Sequence, residues 1–510
     1  MIKFLEAFQD KITGVLSCFD RVVFHGHLPV TSPTGMEAFL QRQGVLLKNL
    51  KPFVTQQADR LKQHAHAICA KAKRPFIYLE GYTRKEDKAR ALAERDGIQR
   101  GLVCVISVVE PCRSFALRYG EKRPRLKASR RKCLALYYYF IDRVFGLMHV
   151  RIQTWFPFQI QIYLNGHEWL ARKLKQYGIA HARLDNAFTW IADVDRAQRF
   201  ADRITDTKWC RVFGALARRV NPLLADLLHP FEYYWVTDQA EFATDVMFKD
   251  RAALQTVYPK LLRHSTLSLS AEDVLTFLGR KLHPRFAGEV LNDCKHCLPG
   301  ARVKHRMKGN WIKMYDKHGC VLRIETVINH PYEFRVRRTG WRKGQQVVDW
   351  YPMAKRVCNL YRYAQVSRQA NHRYLDALAS VVDPARSYQL LDRVCEPAKF
   401  CGQRVRGFNP VARTDTRLFA AVMRGEHTIA GFRNGDLLKV LFPRLPAAQV
   451  LKRRLSACVT RLIQRLRAHS LVAKIPRTRR YRITTRGYVL MSAAVHLREE
   501  GLPQVLQAAA

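Results

Sequence analysis

The sequence predicts an α+β fold with several domains: an N-terminal α/β unit, a central mixed sheet with helices and a C-terminal winged helix. A chain of 510 residues is too long for one hydrophobic core. A hydrophobic content of 48% is typical of folded chains. Apolar runs of strand character also alternate with segments of helical period. We therefore predict four consecutive domains: an N-terminal α/β domain over 1–125, a central α+β core over 126–350, a helical connector over 351–412 and a winged helix over 413–510.

The N-terminal segment has the element pattern of an α/β unit. Helices are predicted at 52–72 and 85–98, and strands at 76–82 and 101–110, because helical periods alternate with short β-branched runs. The basic stretch 118–133 holds few acidic residues, which favours a loop that grips a phosphate backbone, with a solvated linker as the alternative.

The central segment carries most of the aromatic residues. Strands are predicted within 134–165, where polar and apolar residues alternate, and a helix over 167–177. The segment 233–248 is interpreted as a helix or as a junction from strand to helix. A β-hairpin is predicted over 311–325, with Gly319 in its turn.

The charge balance indicates a polyanionic partner. Lys and Arg number 88 against 42 acidic residues, a net charge of +46, which would repel itself in a folded chain without such a partner. Duplex DNA is the first expectation and structured RNA the second.

No apolar run approaches the ~20 residues of a spanning helix, so no membrane partner is expected. The 13 scattered cysteines suit a reducing bacterial cytoplasm or nucleoid. The oligomeric state stays open.

The last hundred residues have the pattern of a winged helix. An apolar helical stripe is formed by Val459, Leu462, Ile463 and Leu466, and two strand-like runs follow around a basic turn. Twelve Lys or Arg and no Asp or Glu lie between 451 and 486. A winged helix that binds protein is the alternative. We predict nucleic-acid contacts for the polar face and the wing, namely Thr460, Arg461, Gln464, Arg465, Lys474, Arg477, Arg479 and Arg480.

This C-terminal segment resembles the MarR-like winged-helix DNA-binding domains. The resemblance implies that the helix at 456–467 enters a major groove, while Arg477, Arg479 and Arg480 touch the adjacent backbone or minor groove. The whole chain resembles a poorly characterised bacterial family whose recognisable core is KHRMKGNWIKMYDKHGCVLRIETVIN, at 304–329.

The predicted hairpin has one apolar face and one polar face. The polar face places Lys313 and Arg323, expected to contact nucleic acid, beside Tyr315 and Glu325. The run YDK followed by LRIE is similar to a strand pair of rolling-circle replication initiators, which nick DNA with a tyrosine and a divalent metal. That resemblance implies Glu325, with Asp316, as metal ligands. It does not identify the nucleophile: Tyr315, Tyr361 and Tyr363 are all candidates, and Tyr315 is placed with Glu325 among the predicted catalytic residues. The structural alternative is an ion pair of Glu325 with Lys313 or Arg323.

A second set of acidic residues completes the predicted metal site. Asp238, Glu241 and Asp245 would share one face of a helix, where three carboxylates need a cation or basic partners. With Glu325 they form the predicted ligand set for Mg²⁺ or Mn²⁺, and Asp245 joins the predicted catalytic residues. No sequence feature indicates a nucleotide or organic cofactor, since no phosphate-binding glycine loop is present.

These observations lead to two functional hypotheses. The first is a DNA-processing protein of a mobile element, similar to a replication initiator or a transposase, with metal-dependent strand nicking. The second is a non-catalytic binder: a winged-helix regulator or the protein partner of a structured RNA.

Overall fold

The computed structural model describes residues 1–80, 83–119, 124–267, 269, 271–280, 289–297, 300–342, 344–379, 391–424, 427, 431–444, 446, 448–476 and 478–498. The helices are α1 (Ile2–Ala7), α2 (Pro33–Arg42), α3 (Leu50–Ala72), α4 (Lys85–Arg95), α5 (Gly166–Gln176), α6 (Val194–Asp202), α7 (Trp209–Val220), α8 (Arg251–Leu267), α9 (Ala271–Phe277), α10 (Leu360–Leu378), α11 (Arg413–Val422), α12 (Asn434–Leu441), α13 (Gln449–Ala468) and α14 (Thr485–His496).

The strands are β1 (Ile12–His27), β2 (Phe76–Tyr78), β3 (Gly101–Arg118), β4 (Arg125–Asp142), β5 (Gly146–Gln153), β6 (Ile160–Asn165), β7 (His181–Leu184), β8 (Ala187–Ile191), β9 (Tyr234–Phe248), β10 (Val290–Cys297), β11 (Gly300–Met307), β12 (Asn310–Lys317), β13 (Val321–Ile328), β14 (Arg335–Arg342), β15 (Gln345–Pro352), β16 (Ala398–Phe400), β17 (Gln403–Val405), β18 (Val472–Lys474) and β19 (Tyr481–Ile483).

The chain divides into two compact units, and each is built from separate stretches of sequence. The first comprises Met1–Lys11, Arg251–Asp316 and Gln369–Ala510, and the second comprises Ile12–Asp250 and Lys317–Arg368. The α+β class is confirmed. The division differs from the four consecutive segments expected from the sequence, because local patterns do not show which distant segments pack together.

A large sheet forms the centre of the second unit. Its strands follow the order β13-β9-β1-β6-β5-β4-β3-β2, and the pairs are antiparallel except for β2 with β3. β1 lies between β9 and β6, and residues from Leu16 to Asp20 are buried in succession. A strand covered on both faces needs no alternation of polar and apolar residues.

Several elements confirm the sequence predictions and two correct them. Helices occur at α3, α4 and α5, close to the expected bounds. The segment 233–248 is a strand, β9, and not a helix. The basic stretch 118–133 is largely strand: β3 ends at Arg118 and β4 begins at Arg125. Residues 120–123 lie outside the described part. Within the described residues, no helix combines the length and the apolar character that a bilayer-crossing segment requires.

The first unit contains three helices followed by a two-stranded hairpin. α11, α12 and α13 precede the β18–β19 hairpin, in which Val472 pairs with Ile483 and Lys474 with Tyr481. Phe432 forms a further bridge with Tyr481. The apolar side of α13 is buried through Val459, Ile463 and Leu466. The predicted helix and the two strands that follow it are therefore present.

Candidate functional site

Three carboxylates from three adjacent strands lie close together in the second unit. Asp20 is on β1, Glu241 on β9 and Glu325 on β13, and one oxygen from each lies within 4.8 Å of the others. Their relative exposures are 4%, 7% and 1%. We call these three residues the carboxylate triad. Buried carboxylates repel one another strongly unless protons, basic groups or a cation compensate.

An irregularity in β1 places Asp20 opposite Glu241. Phe19 pairs with Phe242 and Val22 pairs with Ala240, so two residues of β1, Asp20 and Arg21, face a single residue of β9. Such a bulge interrupts the regular alternation of side chains between the two faces of the sheet. On the other side of β9, Glu325 pairs with Ala243. The register therefore brings the three acidic side chains to one region of the sheet.

Helix α5 adds a histidine to the same region. Asn165 caps the helix, because its side chain accepts a hydrogen bond from the backbone N–H of Glu168. Gly166 lies against β1 so closely that an added Cβ would stand 2.1 Å from the carbonyl oxygen of Phe19. This close approach carries His167, which is fully buried, to within 3.4 Å of Asp20 and 3.2 Å of Asp245.

Arg323 is a fully buried cation beside the triad. Its Nε and Nη2 donate to the two oxygens of Asp245 at 2.6 and 2.7 Å, and its Nη1 lies 3.4 Å from Asp20 Oδ2. Nη2 also donates to the backbone carbonyl of Asn186 at 2.7 Å. The Asn186 side chain donates to Asp20, and its Oδ1 is buried and has no hydrogen-bond partner among the described residues. Asp20 therefore belongs both to the triad and to this network.

The network keeps its acidic members ionised. Burial alone would raise the pKa of Asp20, but the charge of Arg323 and the contact with His167 hold that pKa well below its usual range. The pKa of Asp245 is lowered in the same way, against its burial, by Arg323 and His167. Burial opposes protonation of His167, but the Cys18 sulfur and the carboxylates of Asp20 and Asp245 raise its pKa well above the usual value.

The triad has the chemistry of a divalent-cation site. Mg²⁺ and Mn²⁺ prefer carboxylate oxygens, and Mg²⁺ holds them at about 2.0–2.1 Å. Ligands on opposite sides of one such cation, or of the larger Ca²⁺, are about 4–5 Å apart. The three oxygens, which lie within 4.8 Å of one another, are close enough to share one such cation. Arg323 and His167 would fix and orient Asp20 from behind, as groups around metal ligands commonly do.

The predicted acidic ligands separate into three environments. Glu241 and Glu325 come together in the triad, joined by Asp20, which was not predicted. Asp245 instead pairs with Arg323 and lies outside the triad. Asp238 pairs with Lys355 at 3.0 Å and with His25 at 3.9 Å. The predicted shared helical face does not exist, because these positions lie on a strand.

Two predicted contacts with nucleic acid are contradicted by burial. The guanidinium nitrogens of Arg323 are all engaged within the protein, by Asp245, Asp20 and the Asn186 carbonyl, and not directed to a phosphate. Arg465 is 7% exposed, donates to both oxygens of Asp415 at 2.9 Å, and packs over the Phe408 ring. Both side chains stabilise the interior, since a buried guanidinium needs a carboxylate partner.

The other C-terminal residues predicted to contact nucleic acid differ in the solvent exposure of their side chains. Thr460, Arg461, Gln464, Lys474 and Arg479 are exposed. The Thr460 hydroxyl already accepts a hydrogen bond from Asn434. Arg480 donates to the carbonyl of Gly431 and is half-buried. Arg477 lies outside the described residues.

The tyrosine candidates also differ in accessibility. Tyr363 is fully buried, and burial raises its pKa, so it is a poor nucleophile. Tyr361 is 41% exposed. Tyr315 is half-buried on β12, opposite Arg302, and the nearby Lys313 lies opposite Lys304. Neither Tyr315 nor Lys313 belongs to the unit that holds the triad.

Comparison of the chain with protein-family models, with curated proteins and with solved structures found no match.

Proposed function

We propose that this protein is a metal-dependent phosphodiesterase that nicks or cleaves nucleic acid, with the carboxylate triad as its cation site. The observation that carries the proposal is the convergence of Asp20, Glu241 and Glu325 on three neighbouring strands. A chain with a net charge of +46 would attract a polyanionic substrate to such a site. A bound divalent cation would supply Lewis-acid polarisation of a phosphoryl oxygen and a more acidic water.

The residues of the chain have separate roles in this proposal. The triad supplies the anionic oxygens that hold the cation. Arg323 is a positioning residue, because it fixes Asp20 and Asp245 without facing the substrate. The exposed basic residues of α13, Arg461 among them, would dock the nucleic acid by phosphate contacts. DNA and RNA present the same phosphates, so both remain substrates to test.

One observation favours a non-catalytic binder as the second candidate. Asp20 already has Arg323 and His167 as partners, so part of the acidic cluster is neutralised within the protein. A chain of this kind would bind nucleic acid through its basic surfaces without cleaving it.

Cleavage assays with triad variants distinguish the two candidates. Full-length protein is incubated with supercoiled plasmid and with labelled single-stranded DNA and RNA, in Mg²⁺, Mn²⁺ or EDTA. Glu241→Gln and Glu325→Gln keep the side-chain size but remove a charge, and we expect each to lower the cleavage rate by about 100-fold or more, since metal stabilisation of the transition state is worth several kcal/mol.

The matched control is Glu94→Gln, which changes an exposed glutamate on α4. It should leave cleavage unchanged. Cleavage by the wild type that is insensitive to EDTA, or triad variants as active as the Glu94→Gln control, would contradict the metal role. Binding without cleavage by the wild type would favour the second candidate.

A further inference from the structure

An exposed aromatic face lies on the β14–β15 hairpin of the second unit. Trp341 is 71% exposed, Trp350 46% and Val348 56%. Large apolar side chains rarely stand together in solvent on one surface without a partner.

The register of the hairpin puts these residues on one side. Arg337 pairs with Trp350, Thr339 with Val348 and Trp341 with Gln346. Residues two apart on a strand share a face, and directly paired residues are neighbours on it. The same face continues to Arg335 and Pro352. These eight residues include two tryptophans and two arginines, include no carboxylate, and are all exposed. We call them the tryptophan face.

The opposite face of the hairpin is partly covered. Val336 and Gly340 are buried there, and the Tyr351 ring lies across Gly340, where an added Cβ would stand 2.4 Å from the ring. Arg338 packs over the same ring at 4.5 Å. The two faces are therefore distinct: the opposite face is partly buried, although Arg338 and Asp349 are exposed on it, whereas all eight residues of the tryptophan face are open to a ligand.

The arrangement suits unpaired bases flanked by phosphates. Neighbouring rows of the face are about 6.6 Å apart along the strands, so Trp341 and Trp350 stand two rows, or about 13 Å, apart. A base can stack on each tryptophan with a third over Val348 between them. Arg335 and Arg337 supply positive charge on the same surface. A further guanidinium, that of Arg362, lies 5.0 Å from the Trp350 ring and holds it in place.

We infer that the tryptophan face binds a single-stranded segment of nucleic acid by base stacking. The inference rests on the proposed function and names the form of its substrate. Duplex bases are stacked on each other and hidden from such a surface, whereas unpaired bases are available to it. The hairpin is also tied to the site strands. It follows β13 in the chain, and beyond β15 the Lys355 carbonyl accepts a hydrogen bond from the N–H of Thr237 on β9.

The test is oligonucleotide binding in EDTA, where no metal-dependent cleavage occurs. Fluorescence anisotropy is measured with a labelled 12-nucleotide oligo(dT) and with a labelled duplex of equal length. The double variant Trp341→Ala/Trp350→Ala should weaken oligo(dT) binding by at least about 10-fold and duplex binding by less than about 2-fold. In the wild type, oligo(dT) should quench tryptophan fluorescence.

The matched control is Trp190→Ala, which removes an exposed tryptophan on β8. It should bind oligo(dT) like the wild type, and the thermal unfolding midpoints of all variants should agree because the replaced side chains are exposed. Unchanged oligo(dT) binding by the double variant would overturn the inference, as would an equal loss for Trp190→Ala, an equal loss of duplex binding, or no oligo(dT) binding by the wild type.

The two proposals can fail separately. If triad variants lose cleavage while the double variant binds oligo(dT) normally, the inference is wrong and the proposed function stands. If the double variant loses oligo(dT) binding but no form of the protein cleaves, the tryptophan face is supported and the metal-dependent function is wrong.

Discussion

Arg323 determines the chemistry of the buried site at the scale of single residues. One guanidinium serves both Asp245 and Asp20, and it is fully enclosed. Removing one member of a buried ion pair leaves a charge without compensation, which is more costly than removing an exposed pair. The network should therefore contribute to stability as well as to the position of Asp20.

Replacement of Asp245 tests that contribution. Asp245→Asn removes the bidentate carboxylate partner of Arg323 and should lower the free energy of unfolding by about 3 kcal/mol at pH 7. Chemical denaturation followed by circular dichroism measures the change. The matched control is Asp238→Asn, whose half-exposed pair with Lys355 should be worth about 1 kcal/mol or less.

The difference in free energy of unfolding between the wild type and Asp245→Asn should depend on pH. The folded pKa of Asp245 lies below its unfolded value of about 3.9, so its contribution is complete above that pH and is lost as the pH falls further. The stability difference between wild type and Asp245→Asn should therefore shrink as the pH falls below about 4. A difference that grows below pH 4 would contradict the assignment.

The sequence allowed two of the three triad residues to be predicted. Glu241 and Glu325 stand out as acidic residues within apolar segments. Asp20, in CFDRVVF, has the same property, but its role depends on a bulge that sets two residues of β1 against one of β9. The sequence wrongly favours Asp245 as a metal ligand, because its partner Arg323 lies 78 positions away and is predicted on an open face of the hairpin.

At the scale of elements, β9 shows why a local pattern misled. Its residues from Ala240 to Phe248 are all buried, including Glu241, Thr244 and Asp245. Polar residues buried on both faces produce no alternation, and the spacing of the three acidic residues then fits a helical face. Tertiary pairing with β1 and β13 decides the conformation. Helices α3 and α5 were predictable because each has an open face and a buried face.

Two of the arginines on helix α13 should have different roles, one in nucleic-acid binding and the other in stability. Arg461 is exposed, and Arg461→Ala should weaken duplex binding and reduce the slope of log affinity against log salt by about 1. Arg465→Ala should instead lower stability, since it leaves Asp415 buried without its partner. Anisotropy at several salt concentrations measures the first effect and thermal unfolding the second.

The control for this element is Arg203→Ala, which removes an exposed arginine from the second unit. It should change neither the salt slope nor the stability. If Arg461→Ala bound duplex DNA and RNA as the wild type does, the exposed face of α13 would not be the docking surface.

At the scale of the whole molecule, composition and segment order support different kinds of prediction. The balance of 88 basic and 42 acidic residues predicts a polyanionic partner without any knowledge of the fold. The fold class was also predictable. The two units were not, because each combines stretches that are far apart in the sequence, and such pairing leaves no local periodic signal.

The central claim is that the carboxylate triad binds a divalent cation, and anomalous diffraction from crystals soaked in Mn²⁺ tests it most directly. We expect a peak about 2.0–2.6 Å from one oxygen each of Asp20, Glu241 and Glu325, and its absence in Glu241→Gln crystals. A wild-type map with no peak among these three side chains at millimolar Mn²⁺ would contradict the claim.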